Sequence, residues 1–154
     1  LNALLEFDST GNAVALWNTS FNDETFVLQS AVKPVNSVWS ETVELINSNL
    51  YAYNADLSTT SFGDVLGLYM FYNGSSLMIQ SVETDINGFL NNFWSLPITI
   101  SLDTNNAFPK IAAALAGNIV QATAVWTYNN GTNNQPINNV PTNGTTIVAK
   151  PNFT

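Results

Sequence analysis

Eleven carboxylates and three lysines, Lys33, Lys110 and Lys150, are the charged side chains of this sequence at neutral pH, and it has no Cys, His or Arg. That inventory decides most of the available chemistry. Ser-His-Asp and Cys-His mechanisms need an imidazole base and are excluded. Thiolate metal sites and disulfides are excluded with them. A phosphate or carboxylate clamp would rest on the lysines alone, and Lys33 and Lys150 each precede a proline, which reads as turn structure. Paired carboxylates can hydrolyse glycosides, and Asp23-Glu24, Glu41 and Glu44 are the candidates. None of these pairs recurs along the chain, so solvated faces are the simpler reading. Asp8-Ser9-Thr10-Gly11-Asn12 carries oxygen ligands at alternating positions, and Asp103-Thr104-Asn105-Asn106 offers a similar cluster. Neither completes a twelve-residue calcium loop, and both read as Asx-type turns. The expectation is a non-enzymatic chain with no catalytic residue, no metal and no cofactor.

Asparagine provides a different kind of site. The acceptor pattern Asn-X-Ser/Thr occurs at Asn18, Asn73, Asn130, Asn143 and Asn152. Its modification by N-glycans would mark an exported, surface-exposed protein. Asn18, Asn73 and Asn130 each lie just beyond the aromatic residue of an apolar segment, which predicts one equivalent loop for all three. The net charge of -8 repels phosphate backbones and argues against nucleic-acid binding. No window approaches the eighteen or so apolar residues of a membrane helix. The start at Leu1 rather than Met reads as a processed or trimmed product.

The elements that would position these residues come from a repeat. Asn2-Ala3, Asn54-Ala55 and Asn106-Ala107 are spaced 52 residues apart. Each is followed by a turn signal, Gly11-Asn12, Gly63-Asp64 or Gly117-Asn118, and then by an apolar run bearing Trp17, Tyr69 or Trp126. Such a period is the mark of an array in which one unit cannot bury its own apolar face. The units run over about 1–53, 54–105 and 106–154, in one β-repeat domain. Up to four short strands are expected per unit, with Trp39 and Trp94 on the fourth. In the second unit Trp94, Leu96, Ile98 and Ile100 alternate onto one face, and Pro97 marks that strand as an edge. The third unit lacks the Trp-Ser strand, so about eleven antiparallel strands are expected in place of twelve. Core packing is the expected role of all five repeating aromatic residues.

The series Gly-Asn-Ala-Val-Ala-Leu-Trp, Gln-Ser-Ala and Trp-Ser resembles the tandem β-propeller-blade repeats of secreted bacterial and archaeal surface proteins. The resemblance implies an all-β fold of propeller-type or sandwich-like units, and a scaffold without shared catalytic residues. Three units are too few to close an ordinary propeller of four to eight blades. Copies of the chain itself are therefore the expected partners, joined through open β-edges or strand donation in a cell-surface filament or layer. A carbohydrate-binding or adhesive module completed by oligomerisation is the alternative.

Overall fold

The computed structural model describes residues 3–22, 25–45, 51–86, 94–101, 106–116, 119–128 and 145–149. Over these residues the chain is all-β. Sheet A contains β1 (Ala3–Phe7), β2 (Ala13–Asn22), β3 (Thr25–Lys33) and β4 (Val43–Glu44). Sheet B contains β5 (Tyr51–Thr59), β6 (Asp64–Tyr72), β7 (Leu77–Asp85) and β8 (Ile98–Thr99). Sheet C contains β9 (Asn106–Ala116), β10 (Ile119–Tyr128) and β11 (Thr145–Ala149). Each sheet is an antiparallel meander, one to each sequence unit, and the third has no fourth strand among the described residues.

The turns between first and second strands explain the glycine signals. Gly11 and Gly63 sit at φ 90° and 95°, a region open to glycine and strained for other residues. In sheet A the Asp8 carboxylate organises the turn. Its Oδ1 accepts from Thr10 N, Thr10 Oγ1 and Asn12 N, each at 2.9 Å, and its Oδ2 accepts from Asn12 Nδ2 at 2.8 Å. In sheet B the acid has moved to the other end: Thr60 Oγ1 donates to Asp64 Oδ2 at 2.7 Å and accepts from Asp64 N at 3.1 Å. The same latch is thus built from a different residue order.

The sheets stack face to face in the order A, B, C. Val14, Leu16, Leu28 and Val32 of sheet A pack on Val65, Tyr69, Phe71 and Val82 of sheet B. The opposite face of sheet B carries Leu68, Met70 and Ile79 against Ala124 and Trp126, and Leu66 against Val120 and Ala122. β6 is therefore covered on both sides and buried from Val65 to Phe71, which is why it reads as a continuous apolar run rather than an alternating one. Polar links tie the first strands of neighbouring sheets together. Thr59 Oγ1 donates to Phe7 O at 3.0 Å, Ala113 N to Ser58 Oγ at 2.9 Å, and Ile111 N to Asp56 Oδ2 at 2.8 Å. Lys110 Nζ, mostly in solvent, pairs with Asp56 Oδ1 at 3.0 Å.

Two expectations need correction. β2 does not stop at Trp17 but runs on to Asn22, so Asn18 lies in a strand instead of a loop. The fourth strands are not continuous either. Ser40 N donates to Val32 O, while Ser40 Oγ takes the Val32 N–H at 3.1 Å. Ser95 repeats this against Glu83, with Oγ accepting at 3.0 Å. The serine hydroxyl replaces a ladder carbonyl, the chain leaves the sheet, and pairing resumes over only two residues in β4 and β8. Leu96 and Ile98 are consequently exposed while Trp94 packs inward. Pro97, with no N–H to offer, falls in the gap before the edge strand β8.

Candidate functional site

Two of the five sequons fall on described residues, and they differ sharply. Asn18 is half-buried between sheets A and B, and its Nδ2 donates to Ala52 O at 2.7 Å. That nitrogen is the atom a glycan would occupy. Asn73 is exposed in the four-residue loop joining β6 to β7. Its Oδ1 accepts from Ser75 N at 3.0 Å and Ser76 N at 2.9 Å, and Gly74 takes φ 93°. The Asx turn fixes the side chain by its oxygen and points to Nδ2 as the group left for modification. Asn130, Asn143 and Asn152 lie outside the described residues.

The acidic candidates do not converge. Glu41 and Glu44 are exposed at the edge of sheet A, and Asp23, Glu24 and the cluster at 103–106 fall on positions whose side chains are not described. Among the described candidates, Asp8 is the carboxylate withdrawn from solvent. Burial alone would push its pKa up, but hydrogen bonds from the Asn12 and Thr10 side chains and backbone outweigh that and hold it below the usual aspartate value. It acts as a turn latch filled by the protein's own donors.

The aromatic residues lead to a surface. Tyr69 and Trp126 are buried as expected, but Trp17 is half-exposed and Trp39 keeps 44% of its surface in solvent. The core expectation therefore fails at these two positions, and both failures are in sheet A. The cause is architectural. Sheet A is the outer member of the stack, and only its Val14–Leu16 side is covered by sheet B. The strand register sets Leu5, Ala15 and Ala31 in one cross-strand row, and Ala3, Trp17 and Gln29 in the next, on the uncovered side. Leu5 and Phe7 on this side are 52% and 58% exposed. Gln29 braces the centre: its Oε1 accepts from Trp17 Nε1 at 3.1 Å and Thr19 Oγ1 at 2.8 Å. We call this the front of sheet A.

The opposite end of the stack is chemically different. The uncovered side of sheet C presents Ala112, Ala114, Gln121 and Thr123, all exposed, together with the half-buried Val125. Thr123 stands there where the corresponding side of sheet B carries Leu66, while Val125 keeps an aliphatic residue at the Leu68 position. Sequence reasoning located the aromatic residues but not the open front, because equivalence along a repeat hides which unit is terminal in space. No protein-family model matches this chain, and no curated protein sequence matches it.

Proposed function

We propose that this chain is a non-enzymatic structural module of an exported, N-glycosylated cell-surface filament or layer, in which sheets of the repeat stack on one another. The observation that carries this reading is the apolar front of sheet A. Monomeric soluble proteins rarely leave a contiguous apolar face of this kind uncovered, and such faces mark interaction sites. The polar side chains support it from the other direction. Asp8, Asn12, Thr60 and Asp64 close turns, and Ser58, Thr59 and Asp56 join sheets. The exposed sequon at Asn73 is compatible with glycosylation of the assembled surface. Electron microscopy of native material tests the proposal: extended or lattice-like assemblies are expected, and dispersed single particles would sink it.

A carbohydrate-binding module is the second reading, favoured by the exposed indole of Trp39 and the half-exposed indole of Trp17. Glycan binding lost in a folded Trp39→Ala chain would support it over assembly.

A further inference from the structure

The front of sheet A repeats the pattern of a surface that is already occupied elsewhere in the molecule. Leu5, Trp17, Gln29 and Trp39 stand at the positions of Leu57, Tyr69, Gln80 and Trp94 in sheet B. The internal chemistry repeats as well, since Tyr69 Oη donates to Gln80 Oε1 at 2.9 Å as Trp17 Nε1 does to Gln29. In sheet B this front is sealed by the back of sheet A, and Leu57 and Tyr69 are buried. Trp94 lies across Gly67 and closes the contact by donating Nε1 to Ser30 Oγ of sheet A at 2.7 Å. Trp39, its counterpart, donates Nε1 to no acceptor among the described residues.

We infer that the front of sheet A receives the back of a further sheet of this same repeat type. That partner carries aliphatic side chains where sheet A carries Val14, Leu16, Leu28 and Val32, and a hydroxyl where it carries Ser30. The contact continues an interface made twice within the chain, A on B and B on C. One link changes: Phe7 stands at the Thr59 position and adds apolar area in place of the hydroxyl that meets a neighbouring carbonyl. The inference rests on the front being an assembly contact and adds what covers it.

The occupant is a repeat sheet of another protein segment and not a second copy of this chain. Among the described residues, the back a second copy offers is that of sheet C, where Val125 keeps an aliphatic residue at the Leu16 position but Thr123 replaces Val14 and the exposed Gln121 lies beside it. Sheet C therefore offers a poorer match to the front than the backs of sheets A and B do.

Making the back of sheet C more aliphatic should make the chain its own partner. In the Gln121→Leu/Thr123→Leu variant of this chain, sedimentation velocity is expected to show concentration-dependent head-to-tail oligomers under conditions where the unaltered chain stays monomeric. Adding Leu5→Asp and Phe7→Asp is expected to weaken that association by roughly 30-fold or more, as for loss of a central apolar anchor, and Trp39→Phe by a smaller factor. All five positions are at least partly exposed, and far-UV circular dichroism checks that the fold survives; should the double variant unfold, Thr123→Leu alone carries the same test. Three results would overturn the inference. A folded double variant that remains monomeric means the front does not accept an aliphatic back. Oligomers indifferent to Leu5→Asp/Phe7→Asp mean the front is no contact at all, which defeats the functional reading too. An unaltered chain that dimerises through Leu5 and Phe7 keeps the front as an assembly contact but makes a second copy its occupant.

Discussion

Asp8 concentrates more structural work than any other carboxylate described. Replacing it with Ala leaves the donors of Thr10 and Asn12 without their acceptor, the Asn12 donors in a buried position, and Asn12 also holds Val35 N through its Oδ1 at 2.7 Å. The expected cost is about 2–3 kcal/mol, read as a lower midpoint in urea with an unchanged slope. The pH dependence follows from the lowered pKa. A carboxyl more acidic in the folded than in the unfolded chain stabilises fully above its unfolded value, near 3.8. That contribution is lost as pH falls through the lower folded value. Acid titration of Asp8→Ala should therefore show a shallower loss of stability below about pH 4. Tyr69 has the opposite sign. Burial raises its phenol well above the usual 10.0, so its contribution is complete below pH 10 and declines at higher pH. Tyr53 shifts the same way, by burial and then by the charge of Tyr72. Tyr69→Phe should reduce the alkaline sensitivity and leave Gln80 Oε1 without its buried donor, at about 1–2 kcal/mol.

At the level of the strand, β6 was the most legible element and the fourth strands the least. An unbroken apolar run signals cover on both faces, and β6 has sheet A on one side and sheet C on the other. The alternation of Trp94, Leu96, Ile98 and Ile100 was equally clear but misleading, because periodicity does not register a serine hydroxyl standing in for a ladder carbonyl. Asn18 misled in a similar way: a polar residue after an apolar run reads as loop, yet its amide spans two sheets. The tryptophans of sheet A read as core because aromatic residues recur at the same places in the other units. What a periodic sequence omits is which unit has no neighbour. One position tests the strand-level packing directly. A Cβ on Gly67 would stand 3.2 Å from Val82 Cγ2 and 3.6 Å from the Trp94 ring. Gly67→Val should displace that ring and strain its bond to Ser30, costing roughly 1–3 kcal/mol, while Trp94→Phe isolates the loss of the hydrogen bond. Thermal unfolding of the two variants separates crowding from the lost donor.

For the whole molecule, the sequons give a discriminating measurement. Glycopeptide analysis of native material is expected to find a glycan on Asn73 and none on Asn18, whose amide nitrogen is committed to Ala52 O. A fully glycosylated Asn18 would mean that β2 and β5 separate in the mature protein. The assembly face and the sugar site are independent of each other, so a chain without any glycan would revise the export reading and leave the stacking argument intact.

The order of the sheets also determines how the molecule should come apart. Among the described residues its principal inter-sheet contacts join A with B and B with C, so stability is close to a one-dimensional chain of neighbour terms. The outer sheets each have one supporting neighbour, whereas the middle sheet has two. Native-state hydrogen exchange should find a gradient, with β6 amides released last and sheet A amides opening early through partial unfolding. Covering the front of sheet A would flatten that gradient from one end. The protection of β1 and β2 would then report occupancy in a cell-derived assembly, without the partner having to be identified beforehand.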